Sequence, residues 1–438
     1  MKNVPIKDFP RVLVISHNSF SSYKNNGKTL CSIFRDWPSD KIAQLYFYPE
    51  KPFRSISNKH YRITDKDIMY SLLFNSKSCG SEVSDEGLEY ADDDLLKTDA
   101  NNSGIYKFAS TYRNNLFLLI RDLLWSTGKW QTEYLNNWLD AFNPEIIFFV
   151  GSESGFSYDI AFRIAEDRNL PFFLYCTDDY ITPKFTLSPF FWIKYLKITK
   201  RFRKAIRIAK RIFVIGEIMA DEYSKKYGGV YTVLMNMMEI GPLRPKSFDH
   251  RDKNKNIELI SIGNLGLKRW RSLLHIGQCL SKLRKYGLCG KLTIYTSVPP
   301  QRRILKILST QSSIQYRGSI ESNGNTLAAL LKNADVLVHV DGFSRESRHI
   351  ARLSLSTKIP EYFAAGRCVL AYGPEDIGSI QYLKKYDAAL VACNKDELMA
   401  KLKAVLEDSD LRTEMGARAY NMAQTKHERI NIVDYLYQ

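Results

Sequence analysis

The sequence predicts an α/β protein with two doubly wound domains, and three observations support this fold class. Short runs rich in β-branched and aromatic residues alternate with helical patterns, as in parallel sheets covered by helices. The 438 residues suit two or three domains, each able to bury its own core. A stretch with Gly241, Pro242, Pro245 and several charges divides the pattern in two. We therefore predict a first domain over residues 1–240, a linker over 241–256, a second domain over 257–415 and a helical tail over 416–438 that packs back on the first domain.

Charge and hydropathy limit the partners and the location that we expect. The formal net charge of +16 implies an anionic partner, which is a nucleotide, an acidic membrane surface or nucleic acid. No apolar run reaches the roughly 18 residues that a membrane-spanning helix needs, and the polar first ten residues lack the apolar region of a signal peptide. We therefore expect a cytoplasmic protein.

Metal binding is not expected. The seven cysteines are scattered without a C-x-x-C pair or a His-Cys cluster, which predicts reduced, mostly buried thiols. Residues 76–104 are acidic and poor in aromatic residues, and they predict a mobile insertion. The runs DDD at 92–94 and DKD at 65–67 match a D-x-D metal site in letters. Neither follows a buried strand that would aim carboxylates at a cation.

The first βα unit is predicted by a β-branched run at residues 11–16 and a helical pattern at 28–34. The tripeptide GKT at 27–29 matches the end of a P-loop. A P-loop also needs a glycine five positions before Gly27, so that the backbone can curl round phosphate, and that position is Ser22. We therefore do not predict a P-loop.

Two aspartates follow the apolar run PFFLY at residues 171–175, which predicts a strand. Side chains just beyond the carboxyl ends of parallel strands line the ligand crevice of α/β folds, so Asp178 and Asp179 are placed to meet a substrate hydroxyl. The alternative is that they hold their own backbone turn, as Asp often does.

The segment from Phe190 to Arg211 is the most basic helix candidate, with nine Lys or Arg residues and no acid. Its apolar residues recur in steps of four and three and form one stripe opposite the basic face: Phe191, Tyr195, Ile198, Phe202, Ala205 and Ala209. Such a helix is suited to an anionic membrane surface. It would equally serve as an ordinary helix that packs on its sheet and leaves its basic face in water.

A second series of βα units begins with the run IELISI at residues 257–262. The turn that follows contains Gly263, where the backbone can approach a ligand closely, and Lys268 and Arg269 add charge suited to phosphate.

Residues 353–374, LSLSTKIPEYFAAGRCVLAYGP, predict a loop, a capped amphipathic helix and a buried strand. Ser356 and Thr357 open the helix, and Lys358 falls in its first turn, where free N–H groups and the positive dipole end favour an anion such as phosphate. Lys358 and Glu361 share one helix face, so they offer a cation for phosphate and a carboxylate for sugar hydroxyls. The alternative is an ordinary surface Lys–Glu pair.

The segment TKIPEYFAAGRCVLAYGP resembles the donor-binding segment of nucleotide-sugar glycosyltransferases with the GT-B fold, in particular the retaining family that builds bacterial surface polysaccharides. The resemblance covers residues 257–407 well and the first half of the chain weakly. It implies two Rossmann-like domains that face a cleft. In that family a Glu at the place of Glu361 binds the donor ribose. A second Glu stands eight residues earlier, where this chain has Leu353.

Further site residues are implied by the same resemblance. The turn at 263–269 is similar to the family's G-R-L…K segment. Asn264 stands at the position of the Arg in that segment. We assign the role of its Lys to Arg269, with Lys268 as the alternative. A glycine-containing loop after the first strand faces the cleft in these enzymes, and Asn26-Gly27 occupies that place. The implied donor-binding residues are Gly27, Gly263, Asn264, Lys268, Arg269, Ser356, Thr357, Lys358 and Glu361.

Together these features predict a glycosyltransferase that moves a sugar from a nucleotide-sugar donor to a glycan or lipid-linked acceptor. Resemblance implies retention of configuration and a role in cell-surface polysaccharide synthesis. No His pair, metal cluster or nucleophile with an attendant base is evident in the sequence. We therefore expect cations and helix N–H groups to stabilise the departing diphosphate, with no metal or other cofactor. The predicted catalytic residues are Asp178, Asp179, Arg269 and Lys358.

Two other functions stay open at this point. A sugar-nucleotide epimerase shares the fold, but it needs acid–base side chains at the sugar and no acceptor. A basic nucleic-acid-binding protein would suit the charge and would bind oligonucleotides in a salt-sensitive way. Nothing in the sequence resembles an RNA-binding aromatic strand or a recognition helix, so nucleic acid is not an expected partner.

Overall fold

The computed structural model describes residues 9–21, 25–83, 115–184, 186–243, 245, 256–296, 298–320, 324–428 and 432–437. These residues form two compact units. The first contains the described residues of 1–214, 220–233 and 431–438, and the second contains those of 215–219 and 234–430.

The first unit has a sheet with eight strands among its described residues. They are β1 (Val12–Ser16), β2 (Ile42–Tyr46), β3 (Lys59–Arg62), β4 (Ser81–Glu82), β5 (Ile146–Val150), β6 (Phe172–Cys176), β7 (Arg211–Val214) and β8 (Tyr231–Val233). Their order is β4-β3-β2-β1-β5-β6-β7-β8. Only the pairing of β3 with β4 is antiparallel in this described sheet.

The second unit has a parallel sheet with six described strands. They are β9 (Ile257–Ile262), β10 (Gly290–Tyr295), β11 (Ile314–Gly318), β12 (Val336–Val340), β13 (Cys368–Tyr372) and β14 (Leu390–Ala392). Their order is β11-β10-β9-β12-β13-β14.

Helices follow most strands of both sheets. Along the chain they are α1 (Asn25–Phe34), α2 (Asp65–Phe74), α3 (Asn115–Ser126), α4 (Glu133–Phe142), α5 (Gly155–Arg168), α6 (Pro189–Ile208), α7 (Glu217–Tyr227), α8 (Arg269–Leu283), α9 (Arg302–Leu308), α10 (Gly324–Asn333), α11 (Arg345–Ala351), α12 (Ile359–Ala364), α13 (Gly378–Lys385), α14 (Lys395–Glu407), α15 (Ser409–Met422) and α16 (Ile432–Tyr437).

The central strands are covered on both faces, which explains why they read as continuous apolar runs. β5 is buried along its whole length. Successive side chains of a strand point to opposite faces. Phe148 meets Phe34 of α1 edge-on with ring centroids 5.1 Å apart, and its neighbour Phe149 meets Tyr158 of α5 at 4.7 Å. Helices therefore pack on the two faces of one strand.

Each sheet reverses its winding direction once, and this places the sites. In the first sheet β1 lies between β2 and β5, and in the second β9 lies between β10 and β12. At such a switch point the loops after the two central strands leave in opposite directions and open a crevice at the carboxyl edge. The loops after β9 and β12 therefore leave the second sheet at its switch point.

The predicted fold class, α/β with two doubly wound sheets, is confirmed. All seven cysteines are free, and five of them are buried. Among the described residues, no helix combines the length and apolar character needed to cross a bilayer. Residues 84–104 of the predicted insertion and most of the linker at 241–256 lie outside the described residues. The predicted tail boundary at 415–416 falls inside α15.

Candidate functional site

The loop after β9 has an unusual backbone at the switch point of the second sheet. Leu267 and Lys268 both have positive φ values, 51° and 58°. Residues with a Cβ take this conformation at a cost of about 1–2 kcal/mol each, so surrounding contacts must impose it.

One neighbour holds this loop in place, and a second leaves room for it. The Ser347 hydroxyl donates to the carbonyl oxygen of Leu267 at 2.5 Å. A Cβ at Gly342 would lie 2.0 Å from that same oxygen, so only glycine fits beside it. Within the loop, the backbone N–H of Gly266 donates to Oδ1 of Asn264 at 2.6 Å. Asn264, which we predicted as a donor ligand, therefore also shapes the turn.

Arg269 begins α8 and is held by a buried carboxylate. Its Nε and Nη2 donate to Oδ1 of Asp341 at 3.1 and 3.0 Å. Asp341 directly follows β12, its side chain is 2% exposed, and its Oδ2 lies 3.0 Å from Nε2 of His339. Burial by itself would raise the pKa of the Asp341 carboxyl, but His339 and Arg269 bring that pKa below its ordinary value.

This ion pair bears on which of two neighbouring cations is available to bind phosphate. Arg269 was expected to take the phosphate-binding role with Lys268 in reserve. The structure shows that the guanidinium already has a carboxylate partner, whereas the Lys268 side chain is exposed at the start of α8. Lys268 is therefore the more available cation of the two.

The helix predicted after Ser356 and Thr357 is present but short. α12 has six residues, and all of them are buried. The Tyr362 hydroxyl accepts from the backbone N–H of Ile262 at 2.9 Å and donates to its carbonyl at 3.3 Å. α12 is thereby fastened to the end of β9, next to Gly263.

Lys358 and Glu361 form the pair that their spacing predicts. Lys358 caps α12, and its Nζ lies 3.5 Å from Oε2 of Glu361. Glu361 is 8% exposed, so this is not an ordinary surface pair. A carboxylate in this position accepts hydrogen bonds strongly, since little water competes for it.

The segment before α12 is fixed by the start of α13. The Ser379 hydroxyl accepts from the backbone N–H of Ser356 at 3.0 Å and donates to the carbonyl of Ser354 at 3.3 Å. A Cβ on Gly378 would come within 2.9 Å of the same carbonyl. Leu353, which stands where the resembling family has its first Glu, is buried in the core.

A polar cavity of about 410 Å³ opens at the carboxyl edge of the first sheet. It lies at the ends of β1, β5 and β6, and its lining includes His17, Asn26, Arg121, Glu153 and Asp178. The Tyr180 hydroxyl donates to Oδ2 of Asp178 at 3.0 Å.

The two predicted aspartates have different surroundings. Asp178 lines the cavity. Oδ1 of Asp179 instead accepts from the backbone N–H groups of Ile181 and Thr182 at 3.3 and 3.1 Å and from the Tyr223 hydroxyl at 3.2 Å. Asp178 therefore lies at a cavity, whereas Asp179 holds its own backbone turn.

The resemblance implies that Gly27 lies in a loop, and this prediction is wrong. α1 begins at Asn25, so Gly27 lies in its first turn. A Cβ there would lie 2.2 Å from the carbonyl oxygen of Ser19, so glycine is needed for close packing of helix and loop. Its neighbour Asn26 does line the cavity of the first unit.

Two charged residues of the cavity were not predicted from the sequence. Glu153 follows the apolar run EIIFFV, so the strand-end rule that selected Asp178 would also have selected it. Arg121 lies in α3 and carries no sequence signal. Its Nε donates to Asp65 at 2.8 Å and its Nη1 to the Ser154 hydroxyl at 3.0 Å.

The carboxylates at 65–67 have structural partners. Asp67 closes a capping box with Thr64 at the start of α2, and Oδ1 of Asp65 accepts from Arg121 and from the Trp125 indole at 2.7 Å. The aspartates at 92–94 lie outside the described residues. Within the described ranges, no group of three or more His, Cys, Asp or Glu residues is arranged to hold a metal.

Comparison with known proteins identifies the architecture. A structure of HepE from Anabaena, described as a complex with UDP and glucose, has a TM-score of 0.58 at 11% identity and covers 96% of each chain. TarM has a TM-score of 0.62 at 10% identity and covers 99% of each chain. WaaG, described as a glycosyltransferase of lipopolysaccharide biosynthesis, has a TM-score of 0.55 at 12% identity and covers 95% of each chain. This is the GT-B fold.

The sequence comparison adds a family match for part of the GT-B chain. Residues 279–438, just over a third of the chain, match the model of a family described as glycosyl transferase-like. The matched part contains Lys358 and Glu361 but not the loop at 263–268. No curated protein sequence matches the chain. The resemblance to GT-B glycosyltransferases is thus confirmed by the fold and, over this part, by the family model.

Proposed function

We propose that this protein is a glycosyltransferase that moves a sugar from a nucleotide-sugar donor to a hydroxylated acceptor. The observation that carries the proposal is the Lys358–Glu361 pair, in which a partly exposed lysine lies beside a buried carboxylate. The pair lies within the family-matched part of the chain and beside the loop after β9. HepE, which shares the fold, is described in a complex with UDP-glucose, and this supports a nucleotide-sugar as donor.

In this proposal the second unit binds the donor. Glu361 accepts hydrogen bonds from ribose hydroxyls, while Lys268, Arg269 and Lys358 face the diphosphate. Negative charge grows on the diphosphate as the glycosidic bond lengthens, so fixed cations stabilise the transition state more than the bound donor. The buried Asp341 keeps Arg269 in one orientation for this task. The reaction proceeds with retention and without a metal.

The polar cavity of the first unit is the proposed acceptor site. Its lining of carboxylates, amides and hydroxyls suits a polyhydroxylated acceptor. Asp178 would accept a hydrogen bond from the acceptor hydroxyl. The acceptor is a glycan or a lipid-linked glycan of cell-surface polysaccharide synthesis, met at the cytoplasmic face of the membrane.

Binding and turnover test this proposal separately. Calorimetry against UDP-, GDP-, ADP- and dTDP-sugars should identify one tightly bound base, and Glu361→Gln should weaken that binding. Incubation of that donor alone, followed by NMR, should yield no isomer. An isomerised donor would instead establish an epimerase. Absence of binding to all four donors would overturn the proposed function.

A further inference from the structure

The start of α6 exposes a group of large apolar side chains. Leu187, just before the helix, is 91% exposed, and Leu196 in its second turn is 65% exposed. Between them Phe190, Trp192 and Ile193 are exposed as well. These five side chains fall within ten residues of chain, whereas exposed apolar residues on a protein surface are usually scattered singly.

This surface is not the apolar stripe that the sequence predicts for the helix. Ile198, Phe202 and Ala205 of that stripe are buried and pack α6 on its own unit. The exposed apolar residues lie on another face. The helix therefore has a packing stripe in its second half and a separate apolar surface at its start.

Cations continue the exposed face along the helix. Leu196, Lys200, Arg203 and Arg207 follow in steps of four, three and four, so they lie in one row, and all four are exposed. No Asp or Glu occurs between Leu187 and Arg211. Two other cations of the segment pair with acidic residues of the same unit, since Arg201 pairs with Asp122 and Asp159, and Lys204 pairs with Glu166.

The apolar surface adjoins the polar cavity. Nζ of Lys194 lies 3.3 Å from Oε2 of Glu153, and Glu153 lines the cavity. α6 and the cavity residue Asp178 both follow the carboxyl end of β6. The exposed start of the helix therefore lies at the same edge of the sheet as the cavity.

We propose that Leu187, Phe190, Trp192, Ile193 and Leu196 insert into the surface of an anionic lipid bilayer, with Lys200, Arg203 and Arg207 at the level of the phosphates. Apolar side chains gain from leaving water, a tryptophan suits the headgroup region, and cations attract anionic lipid. A second copy of this chain is a poorer occupant because the two basic rows would repel each other. Insertion here would hold the cavity at the membrane, where a lipid-linked acceptor presents its sugar.

The proposed membrane binding can be tested without the proposed function, because vesicle binding is measured without donor. Only the statement that the surface brings the cavity to a lipid-linked acceptor rests on the proposed function. The protein is floated with vesicles of phosphatidylcholine alone or mixed with phosphatidylglycerol, at low and high salt. Salt screens the cations but not the inserted side chains. We expect wild type to prefer anionic vesicles and to stay partly bound at high salt.

Matched variants separate the two contributions. Ile193→Ser with Leu196→Ser should reduce the vesicle-bound fraction at high salt by about tenfold, since two aliphatic side chains no longer insert. Lys200→Glu with Arg203→Glu should remove the preference for anionic lipid. Val230→Ser should behave as wild type. This exposed apolar residue precedes β8 and so lies at the amino ends of the parallel strands, away from the cavity. Thermal melting verifies that each variant is folded.

Three results would overturn the inference. The first is flotation of the Ile193/Leu196 variant at high salt to the same extent as wild type. The second is unchanged tryptophan emission with brominated lipid, since Trp192 should be quenched and Trp192→Phe should lose that part of the quenching. Dimerisation that the Ile193/Leu196 variant abolishes, without vesicle binding, would assign the surface to a second copy. Flotation without any glycosyl transfer would leave the membrane surface intact and remove the proposed function instead.

Discussion

Arg269 donates two hydrogen bonds to one carboxylate oxygen of Asp341 at the carboxyl edge of the second sheet. The other oxygen faces His339. The guanidinium at the expected phosphate position is therefore oriented by a buried residue that belongs to a different strand end.

Asp341→Asn should lower the free energy of unfolding by about 1–3 kcal/mol, because charged hydrogen bonds to Arg269 are lost. Turnover should fall more than donor affinity, since Arg269 stays in place but loses its orientation. Urea unfolding and steady-state kinetics measure the two effects. Asp376→Asn breaks the exposed Arg348–Asp376 pair and should cost less than about 1 kcal/mol. Equal costs for both variants would contradict a special role for Asp341.

The same pair has a pH signature. The folded-state pKa of Asp341 is lowered, so its contribution to stability is present above the ordinary carboxyl pKa and is lost as the pH falls through the lower folded value. The stability difference between wild type and Asp341→Asn should therefore shrink in acid.

Glu361→Gln should weaken donor binding by about 1.5–3 kcal/mol, the usual worth of hydrogen bonds to a charged group. Glutamine keeps the shape, so the buried site should not collapse. Calorimetry with the nucleotide-sugar measures the effect. Glu414→Gln, an exposed position of the same unit, serves as the control. Unchanged affinity in Glu361→Gln would remove this residue from the donor site.

Lys268→Gln and Lys358→Gln should each reduce turnover about tenfold while donor affinity changes less, because diphosphate charge grows in the transition state. Lys403→Gln, exposed on α14, should have no effect. A chelator should not change the rate if these cations do the work of a metal. A proportional fall of affinity and turnover would restrict the lysines to binding.

Asp178→Asn and Asp179→Asn should separate function from folding. Asp178 lines the cavity, so its variant should lose acceptor-dependent turnover and keep its melting temperature. Asp179 holds a turn and the Tyr223 hydroxyl, so its variant should lose about 1–3 kcal/mol of stability. Acceptor titrations and calorimetric melting measure the two effects. A loss of stability in Asp178→Asn together with a loss of acceptor-dependent turnover alone in Asp179→Asn would contradict these assignments.

Stability should fall as the pH drops from about 6.5 to about 4. Burial lowers the pKa of His427 to about 4, and that of His60 likewise. Between the folded and unfolded pKa values only the unfolded chain binds these protons, which favours unfolding. His427 donates from Nδ1 to the Asn236 carbonyl and accepts from the Tyr382 hydroxyl. His427→Gln should flatten this dependence, and an unaltered slope of stability against pH would contradict the assignment.

The alternation of apolar strands and helices determined the fold class because strands buried on both faces must be apolar throughout, and β5 and β6 are such strands. Helical spacing likewise determined the Lys358–Glu361 pair, since residues three apart share a face. Both are local consequences of the order of residues.

Relations between distant segments were decided only by the tertiary structure. Asp341 and Arg269 are 72 positions apart, and nothing local marks them as partners. Asp178 and Asp179 are adjacent in the chain, yet one lines a cavity and the other holds a turn that Tyr223 completes from another helix. In α6, the spacing of the apolar residues alone could not tell which apolar face would be buried, because burial depends on what packs against the helix. The sequence therefore determined the elements and their internal faces, while packing decided which side chains meet and which stay exposed.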